Sequence, residues 1–307
     1  MGAPASPSRP GTAPRSLVTS LRHVLEMFRV SHSVFALPFA LLALVVGAGG
    51  QWPPAATLGW VLLALVSARS AAMGVNRIAD RRFDAQNPRT AQRHLVTGAL
   101  SLGFAWGFTL LALALFFVAA WRLGTLALAL SPLVMLVLLG YSFLKRFTSL
   151  AHLGVGLALG LAPLGAWVAA RGHLQGDLAF PLLLGSAVVL WVAGFDVIYA
   201  CQDVEVDRRL RLHSIPARWG VARSLQVALA MHAGCLALFA AAGGHAGLVR
   251  WSALAWALSA LLLARAHLLA RRAGVGPANA ALMPLNGLVA VLLGVAGIVD
   301  ALARAGA

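Results

Sequence analysis

Long apolar stretches alternate along this chain with short polar stretches crowded with arginine. A hydrocarbon core about 30 Å thick needs ~20 mainly apolar residues of helix to cross it. Stretches of that kind run over 33–50, 55–75, 98–120, 125–144, 150–170, 178–201, 225–243, 251–270 and 278–302. The pattern predicts an all-α polytopic membrane protein with nine transmembrane helices. Only Trp121–Gly124 separates the third and fourth stretches, so the parity of the count needs an independent check.

Charge supplies that check. With the N-terminus inside, the inside segments carry 20 of the 24 Lys and Arg residues and the outside segments carry Arg122, Arg171, Arg250 and Arg304. Basic residues concentrate in cytoplasmic loops, so the asymmetry supports nine spans with a cytoplasmic N-terminus in a bacterial-type inner membrane. It also accounts for the net charge of +15 without a nucleic-acid partner. Composition agrees: 60% of residues are apolar and 11% charged, against about 25% charged in a soluble domain. Residues 1–20, rich in Pro, Ser and Ala, are predicted to be a disordered tail, and 21–307 the membrane domain. The first stretch is too long for a signal-peptide core and eight more follow it, so it reads as a span. Cys201 and Cys235 lack paired spacing and suggest neither disulfide nor zinc.

Acids change the picture most, because there are only nine and a carboxylate in or beside a span is costly. Six of them fall in 80–84 and 196–207, where even-numbered spans meet the inner face. The first stretch reads Asn76-x3-Asp80-x3-Asp84 and the second Tyr199-x3-Asp203-x3-Asp207. On a helix, a spacing of four stacks side chains along one face, roughly 6 Å apart. Two such ladders facing one another suit Mg²⁺, which takes carboxylate oxygen, water and a substrate phosphate. Asp80, Asp84, Asp203 and Asp207 are therefore the candidate metal ligands for holding a diphosphate. The competing reading is that these acids pair at the interface with their neighbours Arg81, Arg82, Arg208 and Arg209.

Arg29, Arg69, Arg77, Arg89, Arg93, Lys145, Arg146 and Arg218 fall on or near the same face. Arg forks and a Lys point charge both match diphosphate oxygens. Lys145-Arg146, in the short loop after the fourth span, is the pair to single out. His32, His152 and His213 read as interfacial or core residues, and the glycines at 154, 156, 160 and 165 as close helix packing.

NRIADRRFD (76–84), NPRTAQRHLVTG (87–98) and FDVIYACQDVEVD (195–207) together resemble the signature motifs of the UbiA superfamily of intramembrane prenyltransferases. Those signatures are N-x3-D-x3-D followed by R-T-x2-R, and D-x2-Y-A-x2-D-x3-D. The resemblance covers nearly the whole chain beyond the tail. It implies Mg²⁺-dependent transfer of a polyprenyl chain from prenyl diphosphate to an aromatic acid of the 4-hydroxybenzoate type, in quinone (ubiquinone) biosynthesis. By position, Asn76, Arg77, Lys145, Arg146 and Tyr199 would contact the diphosphate. Asp80 and Asp203 would serve catalysis through the metal, and Asp196 would lie near the acceptor and could take its proton. Arg29 or Arg69 would receive the acceptor carboxylate.

One departure bears on the acceptor. The 4-hydroxybenzoate enzymes commonly show a basic residue followed by Lys-Pro near the first span, where this chain reads FRVSHSVFALP (28–38). Together with SIPARWG (214–220), that segment is similar to a branch for which a hydroxynaphthoate of menaquinone biosynthesis is the alternative acceptor. A different class, a transporter with an intramembrane acidic site, also uses duplicated bundles with acids on broken helices. The absence of a Gly or Pro break near Asp80 weighs against it.

Overall fold

The computed structural model describes residues 35–306 and is helical throughout its membrane-crossing part. In chain order the helices are α1 (Leu37–Gly47), α2 (Ala55–Asp84), α3 (Leu102–Leu123), α4 (Thr125–Leu144), α5 (Ala151–Arg171), α6 (Ala179–Ala200), α7 (Val204–Arg209), α8 (Ile215–Ala246), α9 (Arg250–Arg272) and α10 (Val275–Ala305). Eight of these are long and apolar enough to cross a membrane, and α1 is a shorter apolar helix of 11 residues where the first span is expected. Counting α1, nine apolar helices stand at the nine predicted stretches among the described residues. The predicted tail and Arg29 lie outside those residues.

Gly124 alone separates α3 from α4, at φ 126, a backbone angle that only glycine adopts freely. The two are thus distinct helices. Helix α3 starts at Leu102, four residues later than predicted, because Ser101 accepts the Phe104 N–H and caps it. Helix α2 extends nine residues beyond its predicted end at 75. At 1.5 Å per residue its 30 residues reach about 45 Å, more than the hydrocarbon thickness.

Helix α6 is the central post. Trp191, Val192, Val188 and Ala187 on it have no exposed surface, and α5 and α8 pack on its two sides. Gly156 and Gly160 of α5 let its backbone reach that of α6: a Cβ there would stand 2.3 Å from the Val189 carbonyl and 2.7 Å from that of Gly185. Gly165 differs from the expectation of tight packing. It has open space around it and lines a cavity. At the far end from the acidic motifs, buried Asp300 of α10 accepts the Trp251 and Ser252 N–H groups, satisfying free donors at the start of α9.

Candidate active site

Helix α2 carries Arg69, Asn76, Asp80 and Asp84 along one stripe, at intervals of seven, four and four residues. The segment after it, 85–101, folds back over the helix end. Thr90 Oγ1 donates to the Asp84 carbonyl at 3.1 Å, and Arg81 Nε donates to that of Leu95 at 2.9 Å. This return places the two arginines of the R-T-x2-R stretch above the acids. Arg93 Nη1 bonds both oxygens of Asp84 at 2.6 Å. Arg89 reaches the second motif instead: its Nε donates to Asp203 Oδ1 at 3.0 Å and its Nη1 to the Tyr199 hydroxyl at 2.6 Å. Asn87 Nδ2 also donates to Asp203 Oδ1, at 2.9 Å.

Each motif acid thus has its own partner. Lys145 Nζ lies 2.6 Å from Asp80 Oδ2, and Asn76 Nδ2 donates to the same oxygen at 3.3 Å. Asp207 Oδ2 accepts from Ser214 Oγ at 2.8 Å, and Asp196 Oδ2 meets His152 Nδ1 at 2.7 Å. The His213 N–H donates to the Lys145 carbonyl, so three inter-helix segments converge on one end of the bundle. Arg81, Arg208 and Arg209 donate to the carbonyls of Leu95, Ala217 and Gln86 rather than to the adjacent acids. The sequence-neighbour ion pairs are therefore not what holds these carboxylates.

The second ladder departs from the expectation of a single helix face. Helix α6 ends at Ala200, and Cys201, Gln202 and Asp203 tighten into i→i+3 turns before α7 begins. Asp203 stands at the N-cap of α7 and Asp207 inside it. Burial pushes the Asp207 carboxyl above its ordinary range, and the Ser214 hydrogen bond works against that. Burial also opposes the Arg89 cation, yet the hydrogen bond and charge of Asp203 outweigh it and raise its pKa.

Asp80 and Asp84 are buried, at 3% and 6% exposure, and among the described residues Asp80 Oδ1 has no hydrogen-bond partner. Among the described residues no three Asp, Glu, His or Cys side chains are gathered at metal-binding closeness. Arg77 lies within electrostatic reach of Asp84, Asp80 and Arg93. The Arg146 guanidinium lies over Phe83 and Phe143, and its Nη2 donates to the Ala79 carbonyl at 2.8 Å.

Directly beyond Asn76 on the membrane side, an apolar cavity of about 590 Å³ runs along α2 from Met73 to Val61, walled by α3, α4 and α5. Arg69 is the one charged residue lining it among the described residues, and Tyr141 of α4 lines it nearby. Sequence reasoning missed Tyr141, which sits within electrostatic reach of Arg69, Arg77 and Asp196. It also passed over His152 and Asn87. Tyr141 and His152 carry no signal in a single sequence beyond lying near Lys145.

Residues 36–298 match the model of the UbiA prenyltransferase family. The chain is 34% identical over 231 residues to the 4-hydroxybenzoate octaprenyltransferase of Paracidovorax citrulli, covering 73% of this chain and 72% of that one. It is 34% identical over 199 residues to the 4-hydroxybenzoate solanesyltransferase of a Synechocystis species, covering 64% and 67%. The solved apo structure of a UbiA homologue from Aeropyrum pernix superposes with a TM-score of 0.80 at 39% identity, covering 89% of this chain and 98% of that one. A homologue from Archaeoglobus fulgidus, solved with DMAPP and Mg²⁺, shares the fold at 21% identity, with a TM-score of 0.67 and coverage of 91% and 98%. With most of its length matched by the family model and two motifs meeting at one end of a helical membrane bundle, the chain belongs to the UbiA prenyltransferase family.

Proposed function

We propose that this protein transfers a polyprenyl chain from its diphosphate to 4-hydroxybenzoate, forming a carbon–carbon bond to the ring. The observation that carries the reading is the direct succession along α2 of an acid-and-cation cluster, Asn76 to Asp84, and an apolar cavity of about 590 Å³. A diphosphate head and a hydrocarbon tail require that succession. The named activities of the Paracidovorax and Synechocystis relatives support the choice of acceptor.

The acids suit Mg²⁺. They are hard oxygen donors, and the orphaned Asp80 Oδ1 is a buried oxygen in need of a cation. Asp80 and Asp84, with Asp203 and Asp207, would hold it, and when bound it supplies Lewis-acid stabilisation of the departing diphosphate. The relative solved with DMAPP and Mg²⁺ supports the choice of metal. Lys145, Arg89 and Arg93 turn from their carboxylates to the diphosphate oxygens as its negative charge arrives. Asn76, Arg77 and Tyr199 add donors at the rim, and Arg146 holds the loop that presents Lys145. The apolar walls exclude water from the allylic cation, and the Tyr141 ring that lines the cavity stabilises it. Arg69 receives the acceptor carboxylate, and Asp196 takes the ring proton. The positive-inside pattern supports a cytoplasmic position for this end of the bundle.

The test is a transfer assay on membranes containing the protein, with Mg²⁺ and a prenyl diphosphate. 4-Hydroxybenzoate and a dihydroxynaphthoate are offered in parallel and products are read by mass spectrometry. Prenylated benzoate is the expected result. Product from the naphthoate alone would replace the acceptor, and no product from either would overturn the reading.

A further inference from the structure

Five motif acids surround the site, and among the described residues Asp196 alone is partnered by an imidazole. Its partner, His152, is the second residue of α5 and is 4% exposed. The ring's other nitrogen, Nε2, faces the Ile215 backbone N–H at 3.3 Å. A backbone N–H only donates, so Nε2 accepts. The neutral ring then carries its proton on Nδ1, directed at Asp196 Oδ2 at 2.7 Å. In this tautomer the imidazole has no free lone pair for a substrate, so it is not itself a base.

We infer that His152 is a positioning residue for Asp196: its Nδ1–H fixes one carboxylate oxygen so that the other is presented to the aromatic acceptor. The inference rests on the acceptor-side reading of Asp196 given above. Two features support it beyond the bond itself. The Asp196 side chain remains 29% exposed while His152 is enclosed, so the imidazole works from behind and leaves the carboxylate accessible. Among the described residues, Oδ1 accepts no hydrogen bond. Ile215 is also the first residue of α8, next to Ser214, which holds Asp207. One ring therefore sets the orientation of Asp196 from the same helix start that braces the diphosphate-side acid.

Two substitutions separate the two bonds. In His152→Asn the amide nitrogen occupies the Nδ1 position and can still donate to Asp196. In His152→Gln the longer amide reaches the Nε2 position and can still accept from Ile215. With full-length protein in membranes, Mg²⁺ and varied 4-hydroxybenzoate, His152→Ala and His152→Gln should raise the acceptor KM about tenfold, the scale of losing a hydrogen bond to a charged group. The prenyl diphosphate KM should stay within about twofold, because none of the hydrogen bonds to Asp80, Asp84, Asp203 and Asp207 involves His152. His152→Asn should recover most of the acceptor KM. Rescue by Gln as good as by Asn, or equal losses for both substrates, would overturn the inference and leave only a structural bond to Ile215. The imidazole ¹⁵N spectrum of the wild-type protein tests it without turnover. The Nδ1–H tautomer is expected at His152, and an Nε2–H tautomer would overturn it. Absence of turnover in the wild type would instead count against the proposed function.

Discussion

Asn76, Asp80 and Asp84 ride the last turns of one continuous helix, whereas Tyr199, Asp203 and Asp207 are divided between the end of α6, a turn and α7. The spacing is the same and the local structure is not. At the C-terminal end of a helix the macrodipole disfavours carboxylates. The first motif tolerates this because Arg81 and Arg82 lie in its last turn and Lys145 and Arg93 reach Asp80 and Asp84 from other segments. The second motif avoids it, since the break moves Glu205 and Asp207 into the first turn of a new helix. One motif is a continuous, buried ladder and the other is a pair beyond a helix break, held by Arg89 and Ser214.

The strongest way to break that contrast is to delete one acid from each motif. Asp80→Ala and Asp203→Ala should both lower turnover by a factor on the order of 10²–10³, the scale of removing one electrostatic contact to a transition state. They should differ in a second readout. Asp203→Ala also frees Arg89 and Asn87, so the 85–101 segment should become more sensitive to limited proteolysis, while Asp80→Ala should leave it protected. Equal protection in both variants would mean that the bridge between the motifs does not hold that segment.

Removing the cations should produce a smaller and unequal loss. Lys145→Ala takes away a point charge and should raise the prenyl diphosphate KM by about tenfold. Arg89→Lys keeps the charge but loses the fork that spans Asp203 and Tyr199, so it should resemble Arg89→Ala rather than wild type. Steady-state kinetics decides, and full activity in Arg89→Lys would show that charge alone suffices.

Packing sharpens the comparison further. Helix α2 passes so close to α3 that a Cβ at Gly74 would stand 2.1 Å from Thr109 Oγ1. Gly74→Ala should cost about 1–3 kcal/mol from overpacking, and adding Thr109→Ala should recover most of it. Gly220, beside the second motif, has open space but φ 76 inside α8, so Gly220→Ala should cost a similar ~1–3 kcal/mol through backbone strain that no neighbour substitution repairs. Thermal unfolding in detergent measures both. The smallest expected effect is Ser214→Ala, about 1 kcal/mol for the lost cap on the Ala217 N–H, with a modest fall in turnover as Asp207 loses its donor.

The sequence by itself determined the membrane class, the number and approximate places of the apolar helices and the two acidic motifs. Hydrocarbon length and the expense of a buried charge act locally, so Asp80 or Asp203 beside an apolar stretch is informative without knowing its neighbours in space. Only the tertiary structure decided which charges pair. Arg81 lies beside Asp80 in sequence, but its side chain leaves for the Leu95 carbonyl, while Lys145 arrives from another helix end. It also decided that the second ladder breaks at Cys201–Asp203, that Gly165 opens onto a cavity, and that His152 stands behind Asp196. Those outcomes depend on the geometry of helices far apart in the chain. His152 and Asp196 meet across 44 residues of sequence, a separation at which local spacing carries no information about contact.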